Sequence, residues 1–177
     1  MTQLQFSPAS SSSSLLLSVS RDRSWALHRL NLQQNELSIE KVAYSDKKTN
    51  PHKRIIWTCT WTWDSEYFFT GSRDKLVVAW RSPEWEPAGV PLLLPESVTA
   101  LASPPSRDLP YKVAVGLENG AICLYSWTDG FSLLRSLSSE QAHHLTVTRL
   151  VFSPTDPTLL ASSSQDHAVK IYKICKT

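Results

Sequence analysis

One short pattern returns along this chain at long, nearly even intervals. Ser20-Arg21-Asp22 recurs as Ser72-Arg73-Asp74 and again as Ser164-Gln165-Asp166. Six residues after each Asp stands a ring: His28, Trp80 and Tyr172. A weaker copy places Asn119 in the Asp position and Tyr125 six residues on. The anchors at 22, 74, 119 and 166 are therefore 52, 45 and 47 residues apart. Phe6-Ser7-Pro8 also returns, as Phe152-Ser153-Pro154. A repeat of this period means that each unit is one supersecondary element, able to bury its apolar face only against a neighbour.

Inside each unit the hydrophobic period is two. Ile55 to Trp61, Tyr67 to Thr70 and Leu76 to Trp80 are short β-branched and aromatic runs separated by Ser, Pro and Asp, the signature of antiparallel strands. The last unit repeats the scheme with Val147 to Phe152, Leu159 to Ala161 and Val169 to Tyr172. Leu37 to Tyr44, Val90 to Leu94 and Leu133 to Leu137 are expected to add a fourth, outer strand. No window forms a convincing amphipathic helix; Ser138 to His144 is too short and polar. The five serines Ser10 to Ser14 read as a solvated turn within the first unit. The fold expected is all-β, in units of approximately 1–46, 47–95, 96–139 and 140–177.

Composition narrows the function classes. Eighteen Lys+Arg against sixteen Asp+Glu give +2, which excludes an acidic tail and a histone-like basic protein. Seven Trp in a chain only 19% charged argue for a packed core rather than disorder. Five Gly against eleven Pro imply turns built mostly without glycine. Cys59, Cys123 and Cys175 are odd in number and far apart, so neither a disulfide framework nor a paired-cysteine metal site fits; reduced thiols are expected. No apolar run approaches the ~20 residues of a spanning helix. The N-terminus has no basic segment of the kind that opens a signal peptide.

The units resemble WD40 repeats, whose pattern runs His, Phe-Ser-Pro, Ser-x-Asp, Trp. The second unit is the fullest copy, with His52, Thr70, Asp74 and Trp80. The resemblance implies that these four side chains form a hydrogen-bonded set across one blade of a β-propeller. In the fourth unit it assigns His144, Ser162, Asp166 and Tyr172. The first unit offers Ser18 and Asp22, with His28 where Trp is expected. The third has Val115, Asn119 and Tyr125 and is expected to be held by packing. WD40 blades normally close as rings larger than four, so an open arc with unpaired edges at both ends is expected, a fragment of a larger propeller.

A narrower resemblance rests on His52-Lys53-Arg54-Ile55-Ile56-Trp57, Trp61 and Tyr67 through Lys75. These runs are similar to the WD-repeat subunits of Elongator complexes. This implies a non-catalytic scaffold, with the large scaffold subunit and the acetyltransferase-like catalytic subunit as partners. It further implies a role in modifying wobble uridines of transfer RNA and linked transcription elongation, in cytoplasm and nucleus. No cofactor, metal or small-molecule substrate is implied. In WD40 proteins the residue just before the blade Asp lies on the narrow top face. Arg21, Arg73 and Gln165, with Glu118 in the degenerate unit, are therefore partner-binding candidates, and Arg54 should lie near the same rim. Arg suits that role through its planar five-donor fork.

Other chemistries fare worse. There is no Gly-x-Ser-x-Gly elbow, and the Ser, His and Asp positions are already used by the repeat. His143 and His144 with Asp166 and His167 match no zinc spacing. Five glycines do not supply a phosphate-cradling loop. The alternative from another class is direct RNA binding through residues 47–63. There Lys47, Lys48, Lys53 and Arg54 lie near Trp57, Trp61 and Trp63, a mixture suited to phosphate pairing and base stacking. A net +2 does not make the broad field of a dedicated binder, and Trp57 and Trp61 fall where a first strand would bury them. A generic WD40 signalling adaptor is the third reading.

Overall fold

The computed structural model describes residues 1–8, 14–33, 36–46, 48–107 and 110–174, with the backbone alone at 32–33. Ser10 to Ser13, Lys47 and Cys175 lie outside the described residues. Within them the chain forms fifteen strands and no helix. Blade 1 comprises β1 (Gln3–Phe6), β2 (Ser14–Val19), β3 (Trp25–Gln33) and β4 (Glu36–Tyr44). Blade 2 comprises β5 (Ile56–Trp61), β6 (Tyr67–Ser72), β7 (Leu76–Arg81) and β8 (Glu86–Leu93). Blade 3 comprises β9 (Val98–Ala102), β10 (Tyr111–Leu117), β11 (Ile122–Trp127) and β12 (Phe131–Leu137). Blade 4 comprises β13 (Val147–Phe152), β14 (Leu159–Ser164) and β15 (Val169–Lys173). Every blade is an antiparallel meander with its strands in chain order.

Each sheet buries its faces against the next. Between blades 1 and 2 lie Leu17, Trp25, Leu27, Trp61, Phe68 and Trp80. Trp25 meets Trp80 edge-on at 5.0 Å, and Phe68 stacks on Trp80 at 6.0 Å. Between blades 2 and 3 the core is again aromatic, with Tyr67, Phe69 and Trp127. Between blades 3 and 4 it is aliphatic, built on Ala100, Ala114, Leu124, Leu150 and Leu160 with Phe152. The outer strands β4, β8 and β12 are mostly exposed, as a strand on the rim must be.

The first strands line the axis in the order β1, β5, β9, β13, cross-linked by side chains. Thr2 Oγ1 donates to Ile56 O at 2.6 Å, Leu101 N donates to Thr58 Oγ1 at 3.0 Å, and Thr99 Oγ1 donates to Val147 O at 2.6 Å. They enclose an open funnel of about 420 Å³ lined by Trp57, Thr58, Thr60, Thr99, Thr148 and Arg149, among others. The four sheets do not close into a ring.

The recurring Ser-x-Asp has a local cause. The Asp carboxylate caps the turn between a blade's second and third strands by accepting the N–H two residues on: Ser24 to Asp22, Leu76 to Asp74, Ala168 to Asp166. Asn119 does the same for Ala121. The preceding Ser hydroxyl accepts the Asp N–H at Asp22, Asp74 and Asp166. This Asx-turn chemistry puts the next residue in the left-handed region at all four places: Arg23, Lys75, Gly120 and His167. Only one of the four is glycine. There a Cβ would meet His143 O at 1.9 Å, so close approach of backbone dictates the residue.

Candidate functional site

In blade 2 a chain of four polar side chains runs from β7 to the loop before β5. Trp80 Nε1 donates to Thr70 Oγ1 at 2.8 Å, and Thr70 Oγ1 lies 2.8 Å from His52 Nε2. His52 Nδ1 lies 3.3 Å from both oxygens of Asp74. Indole can only donate, so Thr70 accepts from Trp80 and its own proton is left for His52 Nε2. The imidazole proton then sits on Nδ1, facing Asp74. Lys53 N also donates to Asp74 Oδ2, at 2.7 Å. Burial favours the neutral acid, but the His52 hydrogen bond and charge, the Lys53 N–H and the Ser72 hydroxyl outweigh it and hold Asp74 down to about 2.

Blade 4 repeats the arrangement around a different histidine from the one expected. His143, not His144, is buried; its Nε2 lies 2.6 Å from Ser162 Oγ and its Nδ1 2.9 Å from Asp166 Oδ2. His144 is exposed and contributes only its backbone N–H to Asp166, as Lys53 does to Asp74. The spacing explains the correction. His52 precedes Ile56 by four residues, as His143 precedes Val147. Phe68 pairs with Trp61, seven residues apart, whereas Leu160 pairs with Phe152, eight apart. The β13–β14 hairpin is one residue longer, so counting back from Ser162 with the blade 2 spacing lands one residue late. Asp166 is held at about 2: burial opposes this, and N–H donation from Ala168 and His144 with the His143 hydrogen bond prevails.

The fourth member of the blade 4 set does not join it. The Tyr172 hydroxyl is buried and finds no partner among the described residues, so Ser162 and His143 are not linked to the ring as Thr70 is to Trp80. In blade 1, Ser18 Oγ donates to Ala26 O at 3.2 Å, Asp22 caps its turn, and His28 is half-buried on β3. Ser162, His143 and Asp166 share the connectivity of a nucleophile, base and orienting acid. Ser162 is 2% and His143 0% exposed, so no substrate reaches either side chain. Among the described residues no group of three His, Cys, Asp or Glu side chains could hold a metal.

These sets hold the loops that carry the partner-binding candidates. Arg21, Arg73, Glu118 and Gln165 are all exposed, at corresponding positions of the four turns. Three are fixed through their backbone: Arg73 N to Ile55 O at 2.9 Å, Glu118 N to Ser97 O at 3.0 Å and Gln165 N to Thr146 O at 3.0 Å. Arg54 is exposed beside them, its N–H 3.4 Å from Asp74 Oδ2. Arg23, Lys48, Lys53 and Lys75 are on the same loops, so the top of blades 1 and 2 is cationic. Arg21, Arg54 and Arg73 are expected on this rim; Arg23 and Lys75, which follow the turn Asp residues, add to it. The tryptophans of segment 47–63 do not accompany it. Trp61 is buried between blades 1 and 2, Trp57 lines the funnel, and Trp63 lies past the far end of β5 under Arg107. They form no stacking platform beside the cations.

Comparison with known proteins agrees with this division. Residues 45–81 and 132–173 match the WD40 model, described as WD domain, G-beta repeat. These segments contain blade 2 through its third strand and blade 4, the blades whose histidine sets are built. The chain is 44% identical, over 97% of its length, to Elongator complex protein 2 of Drosophila melanogaster. It is 35% identical over 99% of its length to that of Homo sapiens, and 36% over 98% to that of Saccharomyces cerevisiae. It spans about a quarter of the length of these relatives, from 22% to 25%. A chain of the solved "Crystal Structure of Mitotic Checkpoint Complex" superposes on 92% of it with a TM-score of 0.71 at 16% identity. At that identity the likeness is one of fold alone.

Proposed function

This chain carries WD40 repeats and is similar along nearly its whole length to Elongator complex protein 2, and from that premise we propose that it is a non-catalytic scaffold in an Elongator complex. In this reading it supports modification of wobble uridines in transfer RNA, and the chemistry resides in a separate acetyltransferase-like subunit. The observation that carries the reading is this similarity over 97% of the chain. The burial of both histidine sets favours a structural rather than a catalytic use of those side chains. Cys59 and Cys123 are buried free thiols, which suits the reducing cytoplasm and nucleus.

The surface that meets the partner subunits is the cationic top of blades 1 and 2, with Arg21, Arg54 and Arg73 at its centre. Rigid loops present these guanidinium groups at little entropic cost, and a planar fork pairs with carboxylates in a defined geometry. Pull-down of Elongator subunits with the tagged 177-residue chain tests the proposal. Co-recovery of the large scaffold and catalytic subunits is the expected result. Arg73→Glu should weaken recovery while leaving the melting temperature unchanged. Retention of transfer RNA by the chain alone, lost as salt is raised, with no subunit recovered, would replace the scaffold by direct RNA binding.

A further inference from the structure

The turn of blade 3 differs from the other three in one chemical respect. Of the four asparagines in the chain, Asn31 precedes Leu32, Asn35 precedes Glu36 and Asn50 precedes Pro51, whereas Asn119 precedes Gly120. The peptide nitrogen after an asparagine can close on the side-chain amide carbon to form a succinimide ring. A side chain on the following residue crowds that approach and proline has no N–H to lose, but glycine leaves the nitrogen open. Asn119 is exposed on the turn between β10 and β11, so water reaches its amide.

The turn holds the reacting groups together. Asn119 Oδ1 accepts from Ala121 N at 3.1 Å, which lays the side-chain amide along the intervening Gly120 peptide. The same N–H polarises the amide carbonyl and is placed to stabilise the oxyanion that forms as the ring closes. One contact opposes the attack: Gly120 N donates to Leu117 O at 3.1 Å and must be released first. The step therefore waits on a local opening of this turn, an event far less costly than unfolding a blade.

The surroundings decide what the product does. Arg73 N bonds Ile55 O, Glu118 N bonds Ser97 O and Gln165 N bonds Thr146 O, and three residues before those carbonyls come His52, Leu94 and His143. Leu94 thus stands where blades 2 and 4 have their buried histidine. Pro95 follows it, where Lys53 and His144 each give an N–H to the turn Asp, and proline has none to give. A carboxylate at 119 therefore lacks both the imidazole and the amide that hold Asp74 and Asp166, and it adds charge beside Glu118. The same turn is tied to the blade 4 loop: Gly120 O accepts from His143 N at 3.2 Å, and Thr146 Oγ1 donates to Glu118 O at 3.0 Å.

We propose that Asn119–Gly120 is a self-modifying site, deamidating in the folded chain and loosening the blade 4 histidine loop when it does. Gly120 N bonds to Asn119 Cγ, the Cγ–Nδ2 bond breaks, and the amide proton ends on the departing ammonia. Water then opens the succinimide at either carbonyl, giving aspartate, or isoaspartate whose main chain runs through the side-chain carbon. Isoaspartate lengthens the main chain by one methylene beside Gly120, where even a Cβ would meet His143 O at 1.9 Å. The segment carrying His143 must move, and with it the imidazole between Ser162 and Asp166. Aspartate changes the charge and keeps the backbone of the turn. Water is the only other reactant, so the change needs no partner and is independent of the Elongator reading.

Ageing the folded chain at neutral pH and mapping its tryptic peptides by mass spectrometry tests this. Cleavage after Lys112 and Arg135 gives a peptide, residues 113–135, that contains Asn119 and no other asparagine. It should gain one dalton at least about tenfold faster than the peptides carrying Asn31, Asn35 and Asn50, because only at Asn119 is the attacking nitrogen unobstructed. Asn119→Gln should stop the gain, since the longer side chain closes a less favourable ring. Hydrogen exchange at residues 143–146 should quicken in aged, isoaspartate-rich chain and stay near wild type in freshly prepared Asn119→Asp, which separates main-chain lengthening from charge. No gain at Asn119 in the folded chain while a free peptide of residues 117–121 reacts would overturn the proposal. So would a gain matched at the other asparagines, or exchange at 143–146 that isoaspartate leaves unaltered.

Discussion

His143 Nε2 lies 2.6 Å from Ser162 Oγ, and the adjacent His144 is exposed with only its N–H engaged. Two neighbouring residues of one type thus have opposite roles, decided by a single extra residue in the β13–β14 hairpin. Replacement separates them. His143→Ala should destabilise the chain by roughly 1–3 kcal/mol, the usual consequence of leaving buried hydrogen-bonding groups unpaired. His144→Ala should fall within about 0.5 kcal/mol of wild type. Urea unfolding of both variants checks the assignment, and equal effects would reverse it.

Trp80 joins two kinds of stabilisation, ring packing against Trp25 and Phe68 and a hydrogen bond to Thr70. Trp80→Ala should cost about 3–5 kcal/mol through the cavity it leaves. That is a large part of a typical ~5–15 kcal/mol domain stability. Tyr172, in the corresponding place, has an unpartnered buried hydroxyl. Tyr172→Phe should therefore leave the melting temperature unchanged or raise it. A loss comparable to that of Trp80→Ala would show that the hydroxyl is engaged.

Acid should loosen blade 2 in a defined interval. Asp74 is held at about 2 in the folded chain against an ordinary 3.8, burial opposing and the His52, Lys53 and Ser72 contacts favouring the ionised form. A depressed carboxyl contributes stability that is complete above the unfolded value and is lost as pH falls through the folded one. The loss thus lies between about pH 4 and pH 2, and for a half-buried carboxyl it amounts to roughly 1 kcal/mol after solvent screening. Asp74→Asn should be less stable at neutral pH and show a shallower decline over that interval. Parallel stability–pH curves for the two proteins would refute the linkage.

Gly120 shares its turn position with Arg23, Lys75 and His167, yet only it faces a backbone carbonyl where a Cβ would stand. Gly120→Ala should cost more than about 1 kcal/mol, combining a positive φ with displacement of the His143 segment. The same movement would disturb the His143–Ser162 contact. Hydrogen exchange at residues 141–146 should accelerate in this variant, and unchanged protection there would show that the loop gives way freely.

Much of the fold is legible in the residues because its causes are local. Short β-branched and aromatic runs such as Ile56–Trp61 and Tyr67–Ser72, and an Asp two residues before a turn's end, act within a few positions. The outer strands could be placed too, since Leu37 to Tyr44 and Leu133 to Leu137 lie in the polar connectors that follow each unit's third strand. The blade 2 site was readable for the same reason, its members falling at the repeat's own spacing. Blade 4 was less so: hairpin length is set by Pro154 to Pro157 and is invisible to a count carried over from another unit. Nothing local marks Tyr172 as unable to reach Ser162.

The amino-acid order by itself thus determined four antiparallel units, their strand content and the polar turns that join them. Each depends on contacts between residues close along the chain or repeated at a fixed interval. The tertiary structure decided which histidine is buried and that Trp57, Trp61 and Trp63 point to three different places. These are outcomes of sheets packing face to face, where residues about fifty apart become neighbours and a shift of one position exchanges inside for outside.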